Sequence, residues 1–213
     1  MLPSRHAAEL FDALELQPLP ERSEWDGSIA FLDRDGVLNV GSTNYINNTG
    51  ELELLAGSAT ALGDLRRGGF RICVVTNQSP IGRKLWSHQR LAGIHDELQK
   101  LLLLEDEDAV LDIILYSPHA PWTGSPFRKP EPGMLMAGRQ LLQSAGAISK
   151  FDPSARFNEV RSAMVGDRRC DLRAGERYGI RVFHSPQHIG LSAVAARLLD
   201  ADDDGDDVMI APV

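Results

Sequence analysis

The feature that most constrains this chain is a short apolar run that ends in two aspartates, within residues 29–39. Residues 29–32 are all apolar and are followed by a turn at Gly36, a pattern typical of a buried strand in a parallel sheet. Asp33 and Asp35 come directly after the run. Because ligands bind beyond the carboxyl ends of the strands in an open α/β sheet, both carboxylates are predicted to lie where chemistry is usually placed.

Asp33 and Asp35 are two residues apart, so their side chains point the same way while the chain stays extended. Two carboxylates that converge in a half-buried crevice repel each other unless a cation lies between them. Mg²⁺, which prefers oxygen ligands, is the natural candidate. The same residues also fit a strand-end turn, in which the aspartates cap the backbone and Gly36 supplies a positive φ. The motif alone leaves both interpretations open.

Size and composition favour one α/β domain. The chain has 213 residues, and 43% of them are hydrophobic, which is enough for a sizeable core. We expect no membrane span and no signal peptide, because no apolar run has the required length or position. Two cysteines, Cys73 and Cys170, do not suggest a disulfide framework, so we expect a reducing, cytoplasmic location. We also expect a monomer.

The negative charge is concentrated near the C-terminus. The chain carries a formal net charge of −8, and residues 200–207 hold six aspartates without any lysine or arginine. We expect this acidic tail to be solvated and mobile. Neither the tail nor the nearly neutral remainder favours a nucleic-acid partner.

Alternating strands and helices predict a doubly wound parallel sheet with right-handed crossovers. The predicted strands are 28–33, 70–75, 111–116, 162–165 and 180–183, and the predicted helices are 5–16, 57–67, one opened by Ser87, 133–145, 171–178 and 191–199. We divide the chain into an N-terminal helix and linker (1–27), a main domain (28–190) and a C-terminal helix with the acidic tail (191–213). No long insertion separates the strands, so we expect no large cap domain.

Polar side chains follow four of the predicted strands, at one edge of the sheet. They are Asp33 and Asp35, Thr76 and Asn77, Arg128 and Lys129, and Asp167 and Asp171. Phosphoryl transfer requires this set of groups. It needs a nucleophile in line, and positive charge and hydrogen-bond donors around the equatorial oxygens. An aspartate can serve as the nucleophile by forming an aspartyl-phosphate.

These polar residues lie in four motifs that follow one another along the chain: D-R-D-G-V-L-N, T-N-Q-S, R-K-P-E-P-G-M and V-G-D-R-R-C-D-L-R-A-G. Together they resemble the haloacid dehalogenase superfamily of phosphatases. The closer likeness is to its histidinol-phosphate and D-glycero-D-manno-heptose 1,7-bisphosphate 7-phosphatase branch, over about residues 28–185. The resemblance implies a haloacid dehalogenase-like Rossmannoid fold, a Mg²⁺ cofactor and a small phosphorylated substrate.

The resemblance also implies roles for individual residues. Asp33 would be the nucleophile and a Mg²⁺ ligand, and Asp167 would complete the metal shell. Asp35 would be the general acid and base, with its backbone carbonyl on the metal. Thr76 would hold the phosphoryl group, while Lys129 would neutralise it and orient Asp33. The implied substrate-binding residues are Asn77, Gln78, Arg128 and Arg168.

Each of the weaker assignments has a structural alternative. Thr76 and Asn77 could merely cap a helix, and Lys129 could be a solvated loop charge. Asp171 lies at a predicted helix start, where the helix dipole favours an acidic residue. It could bind the metal through water or stabilise its loop.

The chain departs from this branch in the loop before Arg128. The branch commonly carries a zinc site of the form C-x-H…C-x-C there, whereas this chain has Ser117-Pro118-His119 and Ser125-Pro126-Phe127. A closed zinc site needs about four thiolate or imidazole ligands, so we expect no structural zinc. Pro80 also stands where the branch has glycine, and the loop 40–48, expected to face the substrate, does not match the D-H-G-Y of the heptose enzymes.

We therefore expect a Mg²⁺-dependent phosphatase that acts on a small phosphorylated sugar, with the 7-phosphate of a heptose bisphosphate as the leading substrate. Histidinol-phosphate phosphatase is an alternative. Polynucleotide 3′-phosphatase is another, because T-N-Q-S-P-I-G-R-K resembles its motif, although the chain lacks a basic stripe. A scaffold protein that kept the fold is the non-enzymatic alternative, but a scaffold has no need for nucleophile, acid, cation and metal ligand at once.

Overall fold

A six-stranded, mostly parallel sheet forms the centre of the protein. The computed structural model describes residues 1–20 and 24–213. The strands are β1 (Ser4–Arg5), β2 (Ile29–Leu32), β3 (Arg71–Asn77), β4 (Ile113–Ser117), β5 (Ala163–Gly166) and β6 (Arg181–His184). They lie in the order β1-β4-β3-β2-β5-β6, and β1 alone runs antiparallel to its neighbour. The predicted doubly wound α/β fold is confirmed.

Helices cover the sheet, and all of them except the short helix Ser79–Gly82 lie at predicted places. They are α1 (Ser58–Arg67), α2 (Ser79–Gly82), α3 (His88–Glu105), α4 (Gly133–Ser144), α5 (Arg169–Tyr178) and α6 (Ala195–Leu199), with short 3-10 turns at Thr49–Glu51, Pro121–Thr123, Gly190–Ala193 and Val208–Ile210. Ser87 opens α3 as predicted, since its hydroxyl accepts a hydrogen bond from the Arg90 N–H at 3.1 Å. Among the described helices, none is both long and apolar enough to cross a membrane.

Two hydrophobic cores lie on opposite faces of the sheet, because successive strand residues point to opposite sides. Ala30 and Leu32 belong to the core under α1 and α3, whereas Ile29 and Phe31 belong to the core under α4 and α5. Burial on both faces explains why β2 is a continuous apolar run. Between the described strands no second domain is inserted, so the carboxyl edge of the sheet stays open.

The predicted helix over residues 5–16 is wrong. Three apolar residues suggested it by their spacing: Leu10, Phe11 and Leu14. They pack, partly buried, against the core under α4 and α5, but β1 pairs with β4 and the His6 N–H donates to the Ile114 carbonyl at 3.0 Å. This pairing satisfies backbone groups that β4 would otherwise expose. Of the predicted linker, residues 21–23 lie outside the described residues.

Part of the acidic tail packs against β6, whereas all of it was predicted to be solvated and mobile. The Asp206 N–H donates to the Val182 carbonyl at 2.7 Å, and the Asp206 carboxylate accepts from the His184 N–H at 2.8 Å. Arg197 of α6 pairs with Asp203 and Asp206 at 2.8 Å each. Composition indicated disorder here, but hydrogen bonds to the backbone of β6 and the ion pairs with Arg197 hold the segment in place.

Candidate active site

The carboxyl ends of β2, β3 and β5 and the loop before α4 meet at one edge of the sheet, around a cavity of about 650 Å³. Seven of the predicted site residues line it: Asp33, Asp35, Thr76, Asn77, Arg128, Lys129 and Arg168. Asp167 adjoins the cavity, since its carboxylate lies within 4.8 Å of those of Asp33 and Asp171. Like Asp167, the predicted residue Gln78 does not line the cavity.

Lys129 is the centre of the site. Its ammonium Nζ lies 2.9 Å from Asp33 Oδ1 and 2.7 Å from Asp171 Oδ1, and the side chain is almost completely buried. Burial opposes the charge, but the carboxylates of Asp171 and Asp33 raise the pKa of Lys129 above its usual value. Lys129 is therefore a fixed cation beside Asp33, and not a solvated loop charge.

The backbone of Lys129 is held from the neighbouring strand end. Asn77 Oδ1 accepts from the Lys129 N–H, and Asn77 Nδ2 donates to the Lys129 carbonyl, each at 3.1 Å. Behind this pair, buried Gln78 donates from Nε2 to Thr76 Oγ1 at 3.0 Å. Gln78 therefore supports Thr76 from behind, and its predicted contact with the substrate stays a prediction.

Three carboxylates crowd together around Lys129: those of Asp33, Asp167 and Asp171. Burial raises the pKa of Asp33, although Lys129 opposes this effect. Burial and the charges of Asp33 and Asp171 raise the pKa of Asp167 to about 7. One ammonium thus compensates only part of the negative charge, and a further cation would stabilise the ionised cluster.

The buried cluster fits a magnesium ion. Asp167 Oδ1 is buried and accepts no hydrogen bond from the described residues, which leaves an oxygen ligand without a partner. Gly36 has φ +78°, and a Cβ added there would lie 2.7 Å from Asp167 Oδ2. Glycine is required at this position for the turn and for the close approach of Asp167. The positive φ predicted for Gly36 is confirmed, and it serves the carboxylate cluster.

Asp171 has both oxygens occupied by protein donors. Oδ2 accepts from the Arg168 N–H at 3.0 Å at the start of α5, and Oδ1 contacts Lys129. It is therefore both the helix cap expected from the dipole and the second anchor of Lys129. This geometry favours loop stabilisation over metal binding for Asp171.

Asp35 is held by a buried arginine to which sequence reasoning assigned no role. Arg34 Nη2 donates to both carboxylate oxygens of Asp35 at 2.8 Å, and Arg34 Nε donates to Oδ1 at 3.2 Å. Asn39 Nδ2 also donates to Oδ1, at 2.9 Å. The only available signal was the position of Arg34 between two aspartates, where a cation is favoured.

The mouth of the cavity carries three guanidinium groups. Arg128 Nη1 donates to the His119 carbonyl at 3.0 Å, and the Arg83 guanidinium lies 5.2 Å from the centre of the Trp122 ring. Arg168 is half exposed, with Nε 3.7 Å from Asp167 Oδ2. Sequence reasoning missed Arg83, although its position four residues after Ser79 places it one helical turn beyond the polar strand end.

The loop that binds zinc in the resembled branch is held differently here. Phe127 is buried in the core under α4 and α5, with its ring 5.1 Å from that of Phe151. Ser125 Oγ accepts from the Phe127 N–H at 3.2 Å, and His119 Nε2 lies 3.1 Å from the Leu2 carbonyl. One imidazole and two hydroxyls do not fit a structural zinc ion.

Comparison with known proteins finds relatives of this chain, although it finds no matching family model. A Haemophilus ducreyi D-glycero-beta-D-manno-heptose-1,7-bisphosphate 7-phosphatase is 34% identical over 157 residues, which cover 71% of this chain and 78% of the relative. The Pseudomonas aeruginosa protein of the same name is 37% identical over 119 residues, but these cover 56% of this chain and 64% of the relative. The chain thus matches less than two thirds of the length of some relatives.

Two solved structures share the fold. The D,D-heptose 1,7-bisphosphate phosphatase from B. bronchiseptica, complexed with magnesium and phosphate, is 27% identical with a TM-score of 0.67 and covers 81% of this chain and 98% of that one. A putative phosphatase of the haloacid dehalogenase type from Mesorhizobium loti is 26% identical with a TM-score of 0.64, over 92% of this chain and 96% of that one. The chain therefore belongs to the D-glycero-D-manno-heptose-1,7-bisphosphate 7-phosphatase family of haloacid dehalogenase-like phosphatases.

Proposed function

We propose that this protein is a Mg²⁺-dependent phosphomonoesterase that uses Asp33 as a covalent nucleophile. The observation that carries the proposal is the buried Lys129, which lies 2.9 Å from Asp33 Oδ1 with the Asp167 carboxylate close by. A cation beside an aspartate that must attack a dianionic phosphoryl group offsets their repulsion. Buried charges of this kind contribute little to stability, so a purely structural role accounts for them poorly.

The chain's own residues divide the reaction into two steps. The Asp33 carboxylate attacks phosphorus, the bond between phosphorus and the ester oxygen breaks, and Asp35 gives a proton to the leaving oxygen. In the second step Asp35 takes a proton from water, which attacks the aspartyl-phosphate and releases inorganic phosphate. Thr76 and Asn77 line the cavity beside Asp33 and would hold the phosphoryl oxygens.

Asp33, Asp167 and the backbone carbonyl of Asp35 would hold the metal. When bound, Mg²⁺ supplies positive charge for the phosphoryl oxygens. The unpartnered Asp167 Oδ1 and the raised pKa of Asp167 support this ligand set. Lys129 and the metal would then neutralise the phosphoryl group from two sides.

We further propose the 7-phosphate of D-glycero-D-manno-heptose 1,7-bisphosphate as the group removed. The three guanidiniums at the mouth support a second anion on the substrate, because Lys129 is already committed to Asp33 and Asp171. Arg83 and Arg128 have no carboxylate partner among the described ion pairs, so both can receive a phosphate. The names of the relatives support the same substrate.

A substrate panel tests the proposal. Phosphate release is measured from the heptose 1,7-bisphosphate, histidinol phosphate and a 3′-phosphorylated oligonucleotide, with Mg²⁺ or with EDTA. We expect the highest kcat/KM for the bisphosphate, and loss of turnover in EDTA. Asp33→Asn should be inactive, whereas Asp64→Asn, on the exposed face of α1, should match the wild type.

Each part of the proposal can fail separately. Full Mg²⁺-dependent turnover by Asp33→Asn would remove Asp33 as the nucleophile. Faster turnover of histidinol phosphate or of the oligonucleotide would replace the proposed substrate but keep the chemistry. No turnover of any phosphomonoester would overturn the enzymatic function.

We also propose that the protein acts as a monomer in the cytoplasm. Both cysteines are free thiols, and Cys73 is buried in the core, which fits a reducing compartment. Sedimentation of the purified protein and fractionation of the cell are the direct measurements.

A further inference from the structure

Arg34 is a fully buried arginine placed between two catalytic candidates, Asp33 and Asp35. Burying a guanidinium is costly unless it is paired. Its partner is Asp35, with three contacts of 2.8–3.2 Å from Nε and Nη2. Because Asp35 lines the cavity and Arg34 does not, the arginine reaches the reaction only through Asp35.

The two oxygens of Asp35 differ in how many donors they meet. Oδ1 accepts from Arg34 Nε, Arg34 Nη2 and Asn39 Nδ2, at 3.2, 2.8 and 2.9 Å. Oδ2 accepts from Arg34 Nη2 at 2.8 Å, and its other donor, Gln78 Nε2, is 3.5 Å away. A carboxylate oxygen accepts about two good hydrogen bonds, so Oδ1 is saturated and Oδ2 is not.

We propose that Arg34 is a positioning residue, which together with Asn39 fixes Oδ1 and leaves Oδ2 as the oxygen that exchanges the proton. This inference rests on the proposed phosphatase function. In the first step the Oδ2–H bond breaks and its proton goes to the leaving oxygen as the ester bond breaks. In the second step Oδ2 takes a proton from the attacking water. Arg34 itself neither gains nor loses a proton.

The backbone of Arg34 has a separate, structural role. Its carbonyl accepts from the N–H groups of Leu38 and Asn39, at 2.9 and 3.2 Å, which shapes the turn after β2. A side-chain substitution leaves this carbonyl in place. Loss of the guanidinium should therefore change how Asp35 is oriented more than how the turn folds.

Leaving-group dependence separates positioning from a merely structural role. A sugar alkoxide needs a proton as it leaves, whereas p-nitrophenolate is a stable anion and does not. The parameter kcat/KM reports the first step, in which that proton is given. In Arg34→Met we expect kcat/KM for the sugar phosphate to fall by about 10- to 100-fold, and for p-nitrophenyl phosphate by less than about 3-fold. Arg34→Lys should recover part of the loss.

Two further variants complete the experiment. Arg66→Lys is the matched control, because Arg66 is equally buried and pairs with Asp112 at 2.8 Å, away from the cavity. It should lower stability without changing the ratio of the two kcat/KM values. Asn39→Ala removes one donor from Oδ1 and tests the same idea if the Arg34 variants do not fold.

The possible results separate a failure of this inference from a failure of the proposed function. A selective loss for the sugar phosphate in Arg34→Met or Asn39→Ala supports the inference. Equal losses for both substrates, or no loss, overturn it while the proposed function stands. A wild-type protein that hydrolyses neither substrate overturns the proposed function, and the inference with it.

Discussion

Replacing Asp167 by asparagine should make the metal-free protein more stable while destroying its use of Mg²⁺. Asp167 is buried beside the carboxylates of Asp33 and Asp171, and its pKa is raised from an ordinary value of 3.8 to about 7. A carboxyl group whose pKa is raised by folding binds protons more tightly in the folded state. The free energy of unfolding of the metal-free wild type therefore falls as the pH rises from about 4 to about 7.

The size of the effect follows from this shift. At pH 8 Asp167 is ionised in the folded state, and this lowers the free energy of unfolding by about 4 kcal/mol relative to a neutral side chain. At pH 5 Asp167 stays protonated in the folded state but is ionised in the unfolded chain, and the loss is about 2 kcal/mol. Asparagine carries no charge, so its advantage over the wild type should grow by about 2 kcal/mol between the two pH values. In a domain of this size that difference corresponds to about 4–8 °C in Tm.

Thermal unfolding of both proteins in EDTA, at pH 5 and pH 8, measures the difference. Saturating Mg²⁺ should raise the Tm of the wild type at pH 8, because the metal binds only the folded site, and should leave Asp167→Asn nearly unchanged. Asp112→Asn is the control. Asp112 accepts from Arg66 and Arg71, so its loss should lower Tm at both pH values.

A lower stability of Asp167→Asn than of the wild type in EDTA at pH 8 would contradict this prediction. A difference in stability between the two proteins that is the same at pH 5 and pH 8 would also contradict it. Either result would mean that crowding of carboxylates does not govern the energetics of this cluster.

Two further predictions concern the mouth of the cavity and the loop before α4. Arg83→Gln should raise KM for the heptose bisphosphate much more than KM for a sugar monophosphate, because Arg83 would contact only the second phosphate; an equal rise would place Arg83 elsewhere in recognition. Phe127→Ala should lower the free energy of unfolding by about 3–5 kcal/mol in urea titration, since Phe127 anchors its loop in the core. Trp122→Ala, on an exposed ring of the same loop, should change stability little, and a comparable loss there would contradict the anchor.

Features that follow from local patterns were predicted best, whereas several contacts between distant parts of the chain were not predicted. The apolar run of β2 and the polar residues after β2 and β3 are local patterns, and they located the carboxyl edge of the sheet correctly. Helix α3 began at the predicted cap Ser87 for the same reason. In contrast, the helical spacing of residues 5–16 led to a wrong prediction of a helix. Residues of this segment pair with β4, and no local pattern indicates that pairing.

The catalytic candidates show the same division. The sequence by itself determined which residue types are present, and their order in four motifs indicated the family. Only the tertiary structure decided that Lys129 stands between Asp33 and Asp171, that Gln78 supports Thr76 from behind, and that Arg34 binds both oxygens of Asp35. These contacts depend on side-chain directions and on burial from elements distant in the chain. Such features set the charge and the orientation of side chains at the site, and they cannot be inferred from the spacing of residues along one strand.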